Sequence, residues 1–222
     1  MSVRKAIVPL AGLGTRLFPA SHAVKKELFP VVGPDGIART IIHQHLIDLT
    51  AAGIEEICLI VQPGSDADVR RYLAGPDDAY LHRLSSHPEL LDEARQMRAF
   101  AERVRFAIQH TQEGYGHAVF QARAFAAGDP TLLCLGDHLF RGRDVSPIQQ
   151  VTAMVNFAAG RSVSAVNRIS AAELKSYGTI GGRRRPHQPR LIDVTRIVEK
   201  PDLDTARREL HVDGLPEDTW LG

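Results

Sequence analysis

Cysteine is scarce in this sequence: 2 of its 222 residues, Cys58 and Cys134, carry a thiol. Each lies inside an apolar run, and no Cys-x-x-Cys pair occurs, so the sequence predicts neither a disulfide framework nor a cysteine zinc site. We expect both to be ordinary buried core residues, because free cysteine packs as a small hydrophobe.

An excess of charge and long apolar runs are also missing. The 27 Lys and Arg residues nearly balance 26 Asp and Glu, which gives a formal net charge of +1. Such a balance creates no global field that would favour nucleic acid or a membrane as partner. No apolar run reaches the roughly 18 residues of a membrane span, and the N-terminus lacks the apolar segment of a signal peptide. We therefore expect a cytoplasmic protein whose anionic ligand is a small molecule held by a local site.

Short apolar runs alternate with helical patterns, which predicts an α/β fold with a mostly parallel, Rossmann-like mixed sheet flanked by helices. No linker or internal repeat divides the sequence, so we expect a single domain over residues 1–222. The polar segment 75–102 is expected to be partly helical. The periodicity predicts helices over 37–52, 66–73, 117–126 and 148–157, and strands that include 6–10, 57–61, 104–108, 131–135, 162–166 and 190–198.

A glycine-containing loop, Ala11-Gly12-Leu13-Gly14-Thr15-Arg16, follows the first predicted strand. The glycines leave backbone N–H groups open to phosphate oxygens, and Arg16 adds a cation that can bind them in bidentate fashion. Leu17 stands where a dinucleotide-binding Gly-x-Gly-x-x-Gly loop needs glycine, and no Gly-Lys-Ser/Thr follows as in a Walker A loop. From the loop alone, a tight turn that carries a surface arginine remains an alternative.

The loop and its continuation, Gly-Leu-Gly-Thr-Arg-Leu-Phe-Pro-Ala over 12–20 and Lys-Glu-Leu-Phe-Pro-Val over 26–31, resemble the signature of the sugar-1-phosphate nucleotidyltransferases. The resemblance implies a nucleotide-diphospho-sugar transferase fold in which Ala11, Gly12, Leu13, Gly14 and Thr15 wrap a nucleoside triphosphate. Lys26 matches the family's phosphate-contacting lysine, and Lys25 is a less favoured neighbour. Arg16 and Lys26 would then be catalytic, because they can stabilise negative charge around the attacked α-phosphorus.

Two later segments occur in the order that the same family shows. The run Gly114-Tyr115-Gly116-His117-Ala118 is similar to Gly-Leu-Gly-His-Ala of the glucose-1-phosphate uridylyltransferase branch. The resemblance implies that Gln112 and Gly116 read the uracil edge, although Gln112 lies closer to this run than the family's glutamine does. Asp137 ends a predicted strand, where open α/β sheets bind their ligands. It corresponds to the family's Mg²⁺ ligand, and Mg²⁺ prefers such oxygen donors.

The run Val198-Glu199-Lys200-Pro201 completes the resemblance. With Gly178, the Glu199–Lys200 pair corresponds to residues that line the family's sugar-phosphate pocket. Glu199 would accept hydrogen bonds from sugar hydroxyls, and Lys200 would hold the sugar's phosphate. A solvent-exposed charged turn is the alternative for this pair.

The resemblance implies a reaction of UTP with glucose 1-phosphate that gives UDP-glucose and pyrophosphate, with Mg²⁺ as cofactor. The sugar phosphate attacks the α-phosphorus in line, so no protein nucleophile is needed. Glu27, an expected nucleotide-binding residue, favours the uridylyltransferase over the thymidylyltransferase branch. The alternatives are a transferase that uses dTTP or another sugar 1-phosphate, and a non-catalytic homologue that binds sugar nucleotides. A homo-oligomer is implied by the resemblance alone.

Three further expectations concern the second half of the sequence. The family's chain continues past the point that matches Leu221 and Gly222, so we expect C-terminal truncation, a partly exposed core edge nearby and a half-built metal site. The basic run Arg183-Arg184-Arg185 is predicted to be a solvated hairpin loop rather than a phosphate or nucleic-acid patch. Trp220 is expected to pack rather than to stack on a base.

Overall fold

A computed structural model describes residues 2–157 and 160–222 of the chain. Contacts between Cα atoms divide it into two compact units, Met1–Val163 and Ser164–Gly222. Within the described ranges, every helix is too short or too polar to cross a membrane. The single domain expected over residues 1–222 stays a prediction.

The first unit alternates strands and helices in chain order. Its strands are β1 (Lys5–Pro9), β2 (Pro30–Val32), β3 (Ala38–Thr40), β4 (Glu56–Val61), β5 (Val104–Ile108) and β6 (Thr131–Leu133). Its helices are α1 (Ala20–Ala23), α2 (Ile41–Ala51), α3 (Ser65–Leu73), α4 (Asp78–Arg83), α5 (Pro88–Arg103), α6 (Tyr115–Phe120), α7 (Arg123–Ala126) and α8 (Pro147–Ala153).

A parallel sheet in the order β5-β4-β1-β6 forms the centre of this unit. The register pairs Ala6 of β1 with Ile57 on one side and with Leu132 on the other. The middle strands are apolar because both of their faces are covered, and apolar clusters fill the space between sheet and helices. Both cysteines are free and buried, as expected, and burial raises the pKa of Cys58 to about 11. The α/β fold class is confirmed.

Helix α2 begins at Ile41, so the predicted start at residue 37 is wrong. Thr40 is its N-cap, and the Thr40 hydroxyl accepts a hydrogen bond from the backbone N–H of His43 at 3.2 Å. Residues 38–40 pair instead with 30–32 in an antiparallel hairpin. Only the folded chain brings these two segments together, so the helical spacing of the apolar residues could not reveal this pairing.

Two other predicted helices differ from the structure in their length. The predicted helix 117–126 is two short helices, α6 and α7, which are separated by two residues in a turn. The predicted helix 148–157 is α-helical only to Ala153, and a 3₁₀ turn, Met154–Phe157, continues it. Such tightening of the last turn is common where a helix ends.

The segment 75–102 forms α4 and most of α5, and a buried ion pair attaches α5 to the β2–β3 hairpin. The Arg39 guanidinium is 9% exposed and binds both carboxylate oxygens of Glu93, with Nε 2.8 Å from Oε2. Asp35 also accepts from Arg39 at 3.1 Å. His43 extends the network, because its Nε2 lies 3.4 Å from Glu93 Oε2 and its Nδ1 lies 2.8 Å from the Tyr72 hydroxyl.

We expect Arg39→Met to lower the free energy of unfolding by about 3 kcal/mol, because it leaves a partly buried Glu93 carboxylate without its cation. Arg95→Met is the matched control, an arginine in another ion pair of α5. Arg95 pairs with Asp92 at 2.7 Å, but both side chains are largely exposed. This loss should therefore cost about 1 kcal/mol or less. Urea unfolding of both variants is the measurement, and equal effects would contradict the prediction.

The second unit is an antiparallel sheet with one helix against it. Its strands form in the order β7-β10-β8-β9. They are β7 (Arg168–Ser170), β8 (Gly178–Arg185), β9 (Gln188–Glu199) and β10 (Thr219–Leu221), with α9 (Leu203–Glu209) between β9 and β10. Trp220 packs as expected: it is 5% exposed and donates a hydrogen bond from its indole N–H to the Ala206 carbonyl at 3.2 Å.

Two sequence predictions in or near this unit are wrong. The predicted strand 162–166 has no regular structure in the described residues, and β7 begins two residues after it. Arg183, Arg184 and Arg185 lie within β8 rather than in the hairpin loop, because the strand continues to Arg185 and the turn occupies residues 186–187. The partly exposed core edge expected near the C-terminus stays a prediction: β10 lies between β7 and β8 with Leu221 buried, while Val194 and Ile197 of β9 are exposed.

Candidate active site

The glycine-containing loop leaves the carboxyl end of β1, where parallel sheets place their ligands. Its first residue, Ala11, is buried, and the Ala11 carbonyl accepts a hydrogen bond from the Gln62 side chain at 2.8 Å. Gly14 has a φ of 66°, a left-handed conformation that glycine adopts without strain. Within the described ranges, the backbone N–H groups of Gly12 and Leu13 donate no hydrogen bond. These donors are therefore available to an anion.

Lys26 brings the loop and the end of β6 together. Its Nζ lies 3.0 Å from Asp137 Oδ2, and the side chain is only 14% exposed. A Cβ added at Gly12 would lie 3.3 Å from the same Nζ, so the ammonium group lies directly over the Gly12 backbone. Thr15 and Arg16 begin the 3₁₀ turn Thr15–Leu17, and Arg16 is exposed. The predicted catalytic lysine and the predicted metal ligand are thus neighbours.

Asp137 is held as an anion between two possible cations. Its Oδ1 lies 2.9 Å from His138 Nδ1, and its Oδ2 faces Lys26. Burial raises the pKa of this carboxyl, but the hydrogen bonds and charges of Lys26 and His138 outweigh burial and leave the pKa lowered. An ionised, 37% exposed carboxylate fits a role as one Mg²⁺ ligand beside substrate phosphates. The described residues contain no group of three or more His, Cys, Asp or Glu side chains arranged to hold a metal.

Glu27 is a buried acid in the pocket beside the loop. It is 3% exposed, and the pocket is also lined by Lys25, Gln62 and Ser65. Burial raises the pKa of Glu27, while its own backbone N–H and the charges of Lys26 and Lys25 lower it less strongly. The ionised carboxylate is therefore less stable here than in water.

This raised pKa has a consequence for stability against pH. The folded chain binds the Glu27 proton more tightly than the unfolded chain, whose pKa is near 4.5. The stabilisation is complete below that value and is lost as pH rises through the raised folded pKa. We expect Glu27→Gln to gain stability relative to the wild type as pH rises from about 4 to about 7. Thermal unfolding of both proteins across this range tests it: the melting temperature of Glu27→Gln minus that of the wild type should increase with pH, and a value that stays constant or decreases would contradict the prediction.

Two glutamines lie near the predicted base-reading segment. Gln112 is exposed in the loop between β5 and α6, and Gly116 is exposed in the first turn of α6. Gln109, which the sequence analysis missed, directly follows β5 and is 2% exposed. Its amide nitrogen donates to the Gly114 carbonyl at 3.2 Å. The position of a glutamine directly after an apolar strand is the signal that could have identified it.

The predicted sugar-phosphate residues lie at one end of the β8–β9 pair in the second unit. Gly178 pairs with Glu199, and a Cβ at Gly178 would lie 3.0 Å from a Glu199 carboxylate oxygen. The backbone N–H of Lys200 donates to the Tyr177 carbonyl at 3.1 Å. Lys200 has a φ of 48°, an unusual left-handed conformation for a residue with a side chain. Such strained residues cluster at functional sites.

A glycine-containing loop, a lysine and a carboxylate at the carboxyl end of a parallel sheet are typical of nucleotide-binding α/β proteins. The profile of the family described as Nucleotidyl transferase matches residues 5–215, and the chain belongs to this family. A UTP–glucose-1-phosphate uridylyltransferase of Staphylococcus saprophyticus is 28% identical over 215 residues, which are 96% of this chain and 71% of the relative. A protein of the same name from Mycoplasma pneumoniae is 28% identical over 215 residues, 95% of this chain and 69% of the relative.

Solved structures agree with this family assignment. A UDP-glucose pyrophosphorylase in complex with UDP-glucose has a TM-score of 0.74 at 21% identity, over 99% of this chain and 74% of that chain. A UDP-glucose pyrophosphorylase from Acinetobacter baumannii has a TM-score of 0.73 at 25% identity, again over 99% and 74%. The nucleotide-diphospho-sugar transferase fold and the resemblance to the uridylyltransferases are confirmed.

Proposed function

We propose that the chain transfers a uridylyl group from UTP to glucose 1-phosphate and releases pyrophosphate. One observation carries the proposal: Lys26 Nζ lies between the Gly12 backbone and Asp137, 3.0 Å from the carboxylate, at the carboxyl end of the parallel sheet. This arrangement has the parts that phosphoryl-type transfer requires, namely backbone donors, a fixed cation and a carboxylate. The family match and the names of the relatives support it.

The loop and Lys26 perform the part of the reaction that depends on charge. The free N–H groups of Gly12 and Leu13 hold phosphate oxygens, and Lys26 exchanges part of its contact with Asp137 for the α-phosphate. Arg16, which is exposed at the end of the loop, reaches the outer phosphates. Catalysis then rests on positioning and on stabilising the charge that spreads over the phosphate oxygens in the transition state.

In this proposal, the uracil base of UTP lies on the β4–β5 side of the glycine-containing loop, away from Asp137. Gln62 and Gln109 follow β4 and β5 and hold the loop residues Ala11 and Gly114 through their amides. The N–H of Gly116, in the first turn of α6, has no intrahelical acceptor and is a further donor for the base. Gln112 stays a candidate for the same role.

Glu199 and Lys200 are the proposed glucose-1-phosphate residues. Glu199 offers carboxylate oxygens to sugar hydroxyls, and the absence of a side chain at Gly178 leaves space beside it. The left-handed backbone at Lys200 fixes the direction in which its ammonium group leaves the end of β9. Asp137 is the residue that would hold Mg²⁺, which when bound supplies Lewis-acid stabilisation of phosphate charge. Cytoplasmic location and a homo-oligomer stay predictions.

The test is pyrophosphate release with glucose 1-phosphate and Mg²⁺ in parallel reactions that contain UTP, dTTP, ATP, CTP or GTP. We expect release with UTP well above the other four. Release with dTTP alone would keep the chemistry and change the substrate. No release with any nucleotide, together with binding of UDP-glucose, would contradict the proposed activity and favour the non-catalytic alternative.

A further inference from the structure

The two carboxylate oxygens of Asp137 face different neighbours. Oδ2 lies 3.0 Å from Lys26 Nζ, and Oδ1 lies 2.9 Å from His138 Nδ1. A divalent cation on Asp137 is therefore expected at Oδ1, because the Lys26 ammonium group occupies the Oδ2 side and repels a second cation. Any ion at Oδ1 meets the His138 imidazole, a group that the proposed mechanism does not use.

The His138 ring has a defined orientation. It stacks on Phe140, with ring centroids 6.3 Å apart and an interplanar angle of 19°. Phe140 is partly buried and packs against the main apolar cluster of the first unit. The hydrogen bond to Asp137 determines which edge of the ring faces the carboxylate, because turning the ring over would put a C–H group in place of Nδ1. Nδ1 is therefore directed at Asp137 before any ligand binds.

The separation of the two donor atoms suits one shared ion. Octahedral ligands that lie about 2.1 Å from an ion and at right angles to each other are about 3.0 Å apart. Asp137 Oδ1 and His138 Nδ1 are 2.9 Å apart. The imidazole would bind as a neutral ligand with its proton on Nε2. Among the described residues Nε2 has no hydrogen-bond partner, and the side chain is 52% exposed, so water can accept this hydrogen bond.

We propose that His138 is a second protein ligand to a divalent ion on Asp137, and that its imidazole makes the site prefer a transition-metal ion such as Co²⁺ over Mg²⁺. Imidazole nitrogen suits first-row transition ions, whereas Mg²⁺ binds oxygen donors and keeps several waters. The other ligand positions are left to phosphate oxygens and water, since no cluster of three metal-ligating side chains is found in the described part of the chain. The inference rests on the proposed function only in that Asp137 holds the ion.

The experiment measures the binding of the metal ion alone to the full chain by calorimetry, with Co²⁺ as the titrant and Mg²⁺ as its competitor. We expect the wild type to bind Co²⁺ about tenfold or more tightly than Mg²⁺, because only Co²⁺ gains from the imidazole. His138→Asn should weaken Co²⁺ binding about tenfold or more, since the loss of even a residue behind a metal ligand costs that much. The dissociation constant for Mg²⁺ should stay nearly unchanged.

The matched control is His211→Asn, which removes an imidazole from another exposed histidine–carboxylate pair. His211 Nε2 lies 3.3 Å from Asp213 Oδ1, and this pair is not part of the candidate site. We expect this variant to bind Co²⁺ as the wild type does. Proton NMR of the Co²⁺-loaded chain gives a second readout, because ring protons of a ligating histidine are shifted far from their usual positions. These signals should be present in His211→Asn and absent in His138→Asn.

Equal weakening of Co²⁺ and Mg²⁺ binding in His138→Asn would leave His138 with only a hydrogen bond to Asp137, which would overturn the inference. Co²⁺ binding that survives unchanged in Asp137→Asn would also overturn it. Should His138→Asn fail to fold, His138→Phe keeps a ring beside Phe140, removes the nitrogen and carries the same expectation. Pyrophosphate release without a preference for Co²⁺ in binding would overturn the inference alone, whereas that preference without release from any nucleotide would contradict the proposed function alone.

Discussion

Lys26→Met is expected to lower kcat for pyrophosphate release by about 10²-fold or more, the scale seen when one preorganised electrostatic donor is removed from an active site. The ammonium group lies over the Gly12 backbone and 3.0 Å from Asp137, so it is fixed before the substrate binds. Methionine keeps most of the aliphatic chain of this largely buried side chain and removes only the charge. The fold should therefore be retained, because Asp137 keeps His138 as a partner.

The matched control is Lys25→Met, which removes the same charge from the neighbouring residue. Lys25 lines the same pocket but is exposed, and no ion pair to another described residue is found for it. We expect this variant to lose less than tenfold in kcat. The loss of about 10²-fold applies to a donor that is fixed against the reacting phosphate, and the exposed Lys25 is not fixed in this way. Melting temperatures measured beside the kinetics separate folding from catalysis. A kcat loss below threefold in a folded Lys26→Met protein would remove Lys26 from the mechanism.

Strands of the parallel sheet could be predicted closely because the information they need is local. The strand 104–108 was predicted with the bounds that β5 has, since an apolar run ends on both sides at polar residues. Helix α2 was predicted four residues too long at its start. Its first predicted turn contains apolar residues at a helical spacing, but residues 38–40 pair with 30–32, and only the fold brings the two segments together.

The same distinction applies to the candidate site. Motif resemblance identified Lys26 and Asp137 as functional candidates, but not the ion pair that joins them across 111 residues of sequence. Gln109 has partners closer in sequence, and its position directly after the apolar strand β5 could have identified it. Its burial, to 2% exposed, and its hydrogen bond to the Gly114 carbonyl are properties of the fold.

A methyl group at Gly136 is expected to have the largest effect on both stability and activity in the loop that carries Asp137. A Cβ at this position would lie 2.8 Å from the Pro9 carbonyl oxygen and 3.2 Å from Val8 Cγ1, and it would also collide with Leu10 Cδ2. All three atoms belong to β1 or the residue that follows it, so no flexible surface chain can move aside. We expect Gly136→Ala to lower the free energy of unfolding by about 2 kcal/mol, as overpacking of a filled core does.

To make room for this methyl group, the chain at Gly136 must move away from β1. We expect Asp137, the next residue, to move with it. The contact of Asp137 with Lys26 would lengthen, and kcat should fall by more than the loss of folded protein explains. Gly116→Ala is the control for stability alone, because a Cβ there meets no atom within 4 Å and should not destabilise the helix. Urea unfolding of both variants, together with the kinetics of Gly136→Ala, distinguishes the two effects. A Gly136→Ala protein with wild-type stability and kcat would show that the loop tolerates a side chain at 136, and that Asp137 does not depend on this close packing for its position.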